Sequence, residues 1–326
     1  MPQVNNMSEL LKAQNITKYF PAKSGFFESK GALIHALNDV SFAVECGETL
    51  GLVGESGCGK STLAKIIARL IAPTTGRIFF EGNDITSVNG KQLKRIRRNI
   101  QFVFQDPHAS LNPHMTIGST ISEPFVIHGL SGAKKALQEA ERILDLVGIS
   151  KETVKRYPHE FSTGQRQRIA IARALALTPK LIIADEPIAS LDVSIQAQIL
   201  NLFEELKEKF NLTYLFISHD LRVIEYISDR VIVMYLGKIM EIAESRDLYK
   251  HPIHPYTEAL LSAIPVICTQ AKKKRIILKG EIPGLTKLPS GCVFHTRCIY
   301  ARQKCIDEVP GLTKRDGRSF ACHYPL

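Results

Sequence analysis

A glycine-rich loop that runs into Lys and Ser constrains this chain more than any other feature. It reads Gly54-Glu55-Ser56-Gly57-Cys58-Gly59-Lys60-Ser61-Thr62, and it fits the pattern G-x-x-x-x-G-K-S/T of loops that cradle nucleotide phosphates. Glycine lets the backbone wrap closely around a phosphate chain, so that several N–H groups point at it. Lys60 can meet the terminal phosphates, and the Ser61 hydroxyl can bind Mg²⁺. This segment, hereafter the phosphate loop, predicts nucleotide binding.

The sequence on both sides of the phosphate loop supports this prediction. Residues 49–53 form a short apolar run typical of a buried parallel strand, and residues 63–70 are compatible with a helix. The loop would then lie at a helix N-terminus, where anions bind well. A plain glycine-rich turn is the alternative, and the Lys-Ser pair in this context argues against it.

The composition excludes several protein classes. With 326 residues, of which 44% are hydrophobic and 23% charged, the chain has the make-up of an ordinary globular protein. No apolar run approaches the ~20 residues of a membrane span, and residues 1–14 lack the apolar stretch of a secretory signal. We therefore expect a cytoplasmic protein, in which the seven cysteines are more often free, catalytic or metal-bound than disulfide-linked.

Positive charge is concentrated in the C-terminal tail. Residues 266–326 contain 12 Lys or Arg and 4 Asp or Glu, which supplies most of the net charge of +10. The run Lys272-Lys273-Lys274-Arg275 belongs to this tail. Such a tail could touch nucleic acid or anionic lipid headgroups. A solvated surface run is the better interpretation, because no aromatic residues are interleaved with the charges.

The order of predicted elements indicates an α/β domain with a mainly parallel sheet and an inserted helical region. Apolar strands are predicted downstream of the phosphate loop at residues 181–184 and 214–218. Helices are predicted at residues 91–98, 131–147 and 165–177. The middle helix has an apolar face formed by Leu137, Ala140, Ile143, Leu144 and Val147.

Two adjacent acids end the first of these downstream strands. Asp185 and Glu186 follow the apolar run at residues 181–184, and burial of a strand does not by itself explain such a pair. Beside a phosphate loop, Asp185 would hold Mg²⁺ opposite Ser61, and Glu186 could act as general base on the attacking water. A strand that ends at an exposed turn is the alternative, since Pro187 follows.

Further motifs, taken in order, resemble those of the ATP-binding subunits of ABC transporters. The match covers about residues 12–245, and the set is specific although each motif alone is weak. The matching residues are Tyr19 at the adenine-stacking position, Gln105 of the Q-loop, Ser162-Thr163-Gly164-Gln165 of the signature motif, Asp192 of the D-loop and the switch residue His219. The resemblance implies a P-loop ATPase with a RecA-like parallel sheet core, an N-terminal antiparallel β region and an inserted helical subdomain at about residues 107–178.

The resemblance also implies a role for each of these residues. ATP would be contacted by Tyr19, Gln105 and the nine residues of the phosphate loop. Catalysis would rest on Glu186, His219 and Gln105. Mg²⁺ would be held by Ser61, Gln105 and Asp185. The signature residues would complete the ATP site of a second subunit, in a head-to-tail dimer that buries two ATP molecules.

One residue of the signature motif departs from the family pattern. The family has Gly where this chain has Thr163, and a β-branched residue restricts the backbone and adds bulk where the backbone approaches phosphate. We therefore expect an asymmetric heterodimer, in which the ATP site completed by this signature hydrolyses more weakly than the other.

Three stretches resemble the dipeptide and oligopeptide permease branch, in its second ("F-type") ATPase subunit. They are residues 105–113, residues 192–198 and His254-Pro255-Tyr256-Thr257. The resemblance implies an ATPase domain at residues 1–245 and a small Cys-rich C-terminal module at residues 246–326. It also implies a related ATPase as partner, two membrane permease subunits, an extracytoplasmic peptide-binding protein that acts indirectly, and a place on the cytoplasmic face of the membrane. Nickel, opine and antimicrobial-peptide systems share this branch, so another cargo is the alternative.

Four cysteines of the tail are candidate metal ligands. Cys292, Cys298, Cys305 and Cys322 lie within 31 residues, and clustered thiols favour soft metals. Their spacing contains no C-x-x-C and matches no common zinc finger or ferredoxin pattern. Similar tails in the family can carry a [4Fe-4S] cluster, so the alternatives are a cluster, zinc or unligated thiols.

Two other functions compete with transport. A soluble ABC ATPase that acts on DNA or the ribosome would account for the basic tail, but the sequence has no long coiled-coil insert and no second phosphate loop. We therefore expect no nucleic acid partner. A degenerate nucleotide-binding regulator is the other rival, and the presence of Glu186 and His219 argues against it.

Overall fold

The computed structural model describes residues 9–22, 32–264 and 275–326. Its strands are β1 (Glu9–Pro21), β2 (Leu33–Glu45), β3 (Thr49–Val53), β4 (Thr75–Phe80), β5 (Asn83–Asp84), β6 (Ile100–Val103), β7 (Leu181–Asp185), β8 (Thr213–Ile217), β9 (Arg230–Tyr235), β10 (Lys238–Glu244), β11 (Thr313–Arg315) and β12 (Arg318–Phe320). Its helices are α1 (Lys60–Ile67), α2 (Gly90–Asn99), α3 (Pro107–Ser110), α4 (Ile117–Ile127), α5 (Ala133–Leu146), α6 (Thr163–Leu175), α7 (Val193–Phe210), α8 (Leu221–Ile227), α9 (Ser245–Lys250), α10 (Pro255–Ser262) and α11 (Gln303–Asp307). Cys268 and the basic residues Lys272–Lys274 lie outside the described ranges.

The chain divides into two compact units. The helical unit contains residues 45–48 and 87–217, and the phosphate-loop unit contains the described residues of 8–44, 49–86 and 218–326. The predicted boundary between an ATPase domain and a tail at residue 245 stays a prediction. None of the helices in the described ranges is both long and apolar enough to cross a bilayer.

An antiparallel sheet forms the N-terminal part of the phosphate-loop unit. Its strand order is β2-β1-β4-β5, and β1 pairs antiparallel with β4, with Leu11 opposite Phe80 and Ala13 opposite Ile78. These four side chains are buried, because alternate residues of a strand point to the same face of the sheet. The predicted N-terminal antiparallel β region is confirmed.

Further strands of this unit pair beside the strand that leads into the phosphate loop. β3 pairs parallel with β9, and β10 pairs antiparallel with β9. β3 and β9 are almost entirely buried, which explains their continuous apolar sequence. The sequence correctly predicted β3 at residues 49–53.

The end of the chain joins the same sheet. β12 pairs antiparallel with β10, and β11 pairs antiparallel with β12. The prediction of a small separate Cys-rich module therefore finds no support. The tail strands were missed because they have only three residues each and β11 is exposed, so that no alternation could reveal them.

Three parallel strands form the core of the helical unit. β6 pairs with β7, and β7 pairs with β8, all in parallel. Every residue of β7 and β8 is buried. The ring of Phe203 in α7 contacts Tyr214 and Phe216 edge to face, with ring centroids 5.4 Å apart in both pairs. The predicted strands at residues 181–184 and 214–218 are confirmed within one residue.

Helices α3 to α6 occupy the predicted insertion between β6 and β7. Helix α5 buries Ala136, Ala140, Ile143 and Leu144 on one face. The prediction that Leu137 belongs to this face was wrong, since Leu137 is 39% exposed. The stripe at positions 136, 140, 143 and 147 has helical spacing, and Leu137 lies beside it.

We predict that Phe203→Ala lowers the free energy of unfolding by about 3–5 kcal/mol, because it leaves a cavity against two aromatic rings. Val193→Ala in the same helix is the control. Val193 is 81% exposed, and its replacement should change stability by less than about 0.5 kcal/mol. The unfolding of both variants in urea can be followed by far-UV circular dichroism, because the chain has no Trp whose fluorescence could report it. Equal destabilisation by the two variants would contradict the core position of Phe203.

Candidate functional site

The backbone of the phosphate loop depends on its glycines. Gly54, Gly57 and Gly59 have φ values of 152°, 79° and 105°. Residues that carry a Cβ atom rarely adopt positive φ values of this kind. A Cβ at Gly54 would lie 2.2 Å from the carbonyl oxygen of Met234, and one at Gly59 would lie 2.4 Å from that of Ala36. Strands β9 and β2 thus approach the loop so closely that only glycine fits.

Lys60 is folded back over the loop that precedes it. Its Nζ donates to the carbonyl oxygens of Gly54 and Glu55, at 2.7 and 3.1 Å, and the side chain is buried. Burial raises the pKa of the neighbouring Cys58 thiol, so that thiol stays neutral. The carbonyl oxygens do not neutralise the positive charge of the Lys60 ammonium group. Helix α1 also begins at Lys60. This arrangement suits a phosphate, because a basic side chain lies at the first residue of a helix, whose N-terminal N–H groups favour anions.

Tyr19 lies on β1 and is connected to the phosphate loop through β2. Its ring meets the ring of His35 edge to face, with centroids 4.6 Å apart. His35 directly precedes Ala36, the residue whose carbonyl oxygen faces Gly59. An aromatic ring in this position can offer adenine a stacking surface.

His219 belongs to the same unit as the phosphate loop. It follows Ser218, whose N–H donates to the carbonyl oxygen of Leu52 in β3 at 3.3 Å. The Ser218 hydroxyl oxygen accepts from the N–H of Asp220 at 3.0 Å, and the His219 side chain is exposed. The turn that carries the predicted switch histidine is therefore fixed beside the strand that leads into the loop.

In the helical unit, the structure brings Gln105 and Glu186 together. The side-chain amide of Gln105 donates to the Glu186 carboxylate at 3.2 Å. Asp185, at the end of β7, is buried. Glu186 has a φ of 48°, and its N–H donates to the carbonyl oxygen of Ile217 at 2.9 Å. A non-glycine residue held in this strained conformation is a frequent property of functional sites.

The signature motif forms the beginning of helix α6. The Ser162 hydroxyl accepts from the N–H of Gln165 at 3.3 Å, and the Gln165 side chain accepts from the N–H of Ser162 at 3.0 Å. This reciprocal pair is a capping box. A Cβ at Gly164 would lie 2.6 Å from the Ile195 side chain, so this glycine permits close packing against α7.

Thr163 is the first residue of α6 and is not among the described residues with positive φ. The expected restriction of its backbone therefore costs nothing in this conformation, because a β-branched residue tolerates ordinary helical angles. Only the added bulk of its side chain distinguishes this position from the family's glycine.

Asp192 caps helix α7. Its carboxylate accepts from the N–H of Ile195 at 3.0 Å and from the hydroxyl of Ser194 at 2.7 Å. The hydrogen bonds from Ser194 and Ile195 lower the pKa of Asp192. Asp192 is thus the N-cap of α7, and aspartate is one of the residues preferred there. Its D-loop role stays a prediction.

Two residues of the tail contact the phosphate loop, and the sequence did not reveal them. Arg297 forms two hydrogen bonds to the Glu55 carboxylate, and the hydroxyl of Tyr256 accepts from the N–H of Glu55 at 3.1 Å. Tyr256 belongs to one of the stretches that resemble peptide permeases. Arg297 is 242 residues from its partner, and no local pattern predicts such a pair.

The four tail cysteines line one cavity of ≈ 10 Å³ together with His254, His295 and His323. This volume is about that of one water-sized probe, and a cluster does not fit it as arranged. Within the residues that the structure describes, no group of three or more His, Cys, Asp or Glu side chains could hold a metal ion. Burial raises the pKa of the Cys298 and Cys322 thiols to about 11. The expected iron–sulfur cluster is therefore unsupported.

Comparison with known proteins matches two parts of the chain to protein-family models. Residues 37–189 match the ABC transporter model, and residues 240–305 match the C-terminal region of oligopeptide/dipeptide transporters. The oligopeptide transport ATP-binding protein AppF of Bacillus subtilis is 52% identical over 98% of both chains. The chain belongs to the ABC transporter ATP-binding family. The di/tripeptide transport ATP-binding protein DppF of Pseudomonas aeruginosa is 45% identical, also over 98% of both chains.

A solved structure agrees with this family assignment. An ATP-binding cassette, determined as a dimer in a post-hydrolysis state with ADP and Pi, matches with a TM-score of 0.65 and 30% identity. The match covers 73% of this chain and 99% of the solved one. This member of the ABC family is thus an ATPase, and its similarity to peptide-transport subunits and to a dimeric cassette implies dimerisation and membrane permease partners.

We predict that Gly59→Ala destabilises the nucleotide-free protein more than Gly57→Ala. Both positions have positive φ, so each variant has a backbone cost of about 1–2 kcal/mol. Only Gly59 also faces a carbonyl oxygen, whereas nothing lies within 4 Å of a Cβ at Gly57. Urea unfolding of the two variants isolates the steric part, and equal stability would contradict the close approach of β2.

Proposed function

We propose that this chain hydrolyses ATP to power the import of dipeptides or oligopeptides through a membrane permease. The observation that carries the proposal is the extent of the similarity. It continues beyond the ATPase region into residues 240–305, which match the C-terminal region of oligopeptide/dipeptide transporters. It also covers 98% of relatives that are named for oligopeptide and di/tripeptide transport.

The phosphate loop is the proposed site of the ATP phosphates. Its positive-φ glycines let backbone N–H groups turn inward, and Lys60 would exchange its carbonyl partners for phosphate oxygens. Tyr19 would stack on adenine. Ser61, Gln105 and Asp185 would hold Mg²⁺, and their hydroxyl, amide and carboxylate oxygens are ligands that suit this hard cation. When bound, the ion neutralises negative charge on the phosphates.

Glu186 is the proposed general base for water attack on the γ-phosphate. Its hydrogen bond to Gln105 at 3.2 Å fixes the carboxylate, and its backbone is held in an uncommon conformation. His219 would donate a hydrogen bond to charge that develops on the phosphate. Positioning and electrostatic stabilisation are what phosphoryl transfer requires of a protein.

The proposed assembly is a heterodimer with a related ATPase, bound to two permease subunits on the cytoplasmic face of the membrane. A peptide-binding protein outside the cell would deliver the cargo. In this arrangement, Ser162 and Gly164 would complete the partner's ATP site, and Asp192 would lie in the D-loop. The bulk of Thr163 would weaken hydrolysis at that site, and equal hydrolysis at both sites would exclude this asymmetry.

Nickel or an opine is the alternative cargo, because ABC importers of this branch share the same ATPase architecture. A peptide is favoured by the names of the relatives. The nucleic acid alternative rests on the basic run, of which only Arg275 lies in the described part of the chain, where it is exposed. A solvated run accounts for it equally well.

We predict that Glu186→Gln lowers the turnover of ATP by about 10²-fold or more, because the amide cannot accept a proton. ATP affinity should stay within about threefold, since glutamine keeps the shape and the contact with Gln105. Glu208→Gln, at an exposed position of α7, is the matched control and should leave turnover unchanged. Undiminished hydrolysis by the Glu186→Gln complex would contradict the assignment of the base.

Metal binding by the tail is a further proposal, favoured by the convergence of four thiols on one cavity. The metal would have to displace thiol protons and widen the cavity. Metal analysis and an absorption spectrum of anaerobically purified protein test it. Stoichiometric iron or zinc that is lost in Cys298→Ser supports the proposal, and a colourless, metal-free and fully folded protein refutes it.

A further inference from the structure

The second residue of the phosphate loop is held by the C-terminal tail. We propose that Arg297 and Tyr256 are positioning residues, which keep the loop in the shape that binds ATP and neutralise the charge of Glu55. The tail thereby sets nucleotide affinity in addition to any contact with partners. This inference rests on the proposed role of the phosphate loop as the ATP site.

The contact between Arg297 and Glu55 has the geometry of a strong ion pair. One guanidinium nitrogen donates to Glu55 Oε2 at 2.6 Å and the other donates to Oε1 at 3.0 Å. The Arg297 side chain is 8% exposed and that of Glu55 is 22% exposed. Bidentate pairs of this kind restrict both side chains to one geometry, and low exposure protects them from solvent screening.

Tyr256 holds the backbone of the same loop residue. Its hydroxyl accepts the Glu55 N–H at 3.1 Å, and its ring is completely buried. The ring packs with Tyr235 and Phe294, at centroid distances of 4.8 and 5.1 Å. Tyr235 also lies under the Arg297 guanidinium, 5.8 Å from its ring centroid. One aromatic cluster thus supports both contacts with Glu55.

Glu55 also contacts Lys60, the residue that is proposed to move to the phosphates. The Glu55 carbonyl oxygen accepts from Lys60 Nζ at 3.1 Å, and the adjacent Gly54 carbonyl accepts at 2.7 Å. A loop that is already ordered loses less conformational entropy when a ligand binds. Loss of the tail contacts would therefore weaken ATP binding through disorder of the loop.

Charge adds a second effect. Glu55 is part of a loop that is proposed to bind a highly negative ligand, and its carboxylate repels phosphate unless it is neutralised. Arg297 supplies that neutralisation. Removal of the Arg297 guanidinium leaves the Glu55 carboxylate unpaired. Removal of both charged groups avoids this repulsion and leaves only the effect of a less ordered loop.

The test measures Kd for ATP by titration of the full-length chain, together with KM and kcat of the assembled complex. We expect Arg297→Gln to raise Kd and KM for ATP by about tenfold or more, with kcat at saturating ATP within about threefold of the original value. Arg297→Lys keeps the charge without the geometry of two parallel hydrogen bonds. Its Kd for ATP should lie between those of the original protein and of Arg297→Gln. The double variant Arg297→Gln/Glu55→Gln should recover part of the lost affinity.

Arg318→Gln is the matched control. Arg318 pairs with the buried Glu241 at 2.8 Å in the same unit, away from the phosphate loop in sequence, and its variant should lower stability in urea with Kd unchanged. The proposal is overturned if Arg297→Gln binds ATP normally, if Arg318→Gln weakens binding equally, or if the double variant recovers nothing. Lys60→Ala tests the ATP site separately, because normal ATP affinity there would refute the role of the loop itself.

Discussion

Close approach of backbone to the phosphate loop is the constraint on which the rest of this protein depends. Carbonyl oxygens of β9 and β2 occupy the space where Gly54 and Gly59 would carry side chains. This approach joins the strand that enters the loop, the helix that leaves it and the antiparallel sheet that carries Tyr19. Lys60 is held in the same structure by two loop carbonyls. The phosphate site proposed for this loop would be built from main-chain geometry, and glycine is required where the backbone approaches so closely.

The chemistry of the helical unit follows a different principle. There the parallel strand β7 ends in a buried aspartate and a strained glutamate, and Gln105 reaches that glutamate from the end of β6. Parallel strands present their carboxyl ends at the same edge of a sheet, so polar residues that follow them meet there. In the proposed mechanism, these acids would supply an oxygen ligand for Mg²⁺ and the general base for ATP hydrolysis. Membership of the ABC family and the continuous similarity to peptide transport subunits are the reasons to connect this chemistry with peptide transport.

The sequence predicted the elements that depend on short runs of neighbouring residues. The apolar runs of β3, β7 and β8 and the loop before α1 were placed correctly. The structure also brings Gln105 and Glu186 together, a contact that the sequence had not predicted. Contacts between distant residues could not be predicted in the same way. Arg297 reaches Glu55 across 242 residues, β12 extends a sheet with only three residues, and Leu137 lies one position beside the buried stripe of α5. Thr163 looked costly from its residue type, yet its helical conformation carries no strain, and only the folded structure could reveal that.

ATP-dependent peptide uptake by vesicles tests the proposed transport function most directly. Proteoliposomes would contain this chain, its partner ATPase and the permease, with ATP on the side of the ATPases and the peptide-binding protein on the other. We expect uptake of labelled di- or oligopeptides that requires ATP and is abolished by Lys60→Ala in this chain. Uptake of nickel or an opine with no response to peptides, or peptide uptake that is unaffected by Lys60→Ala, would contradict it.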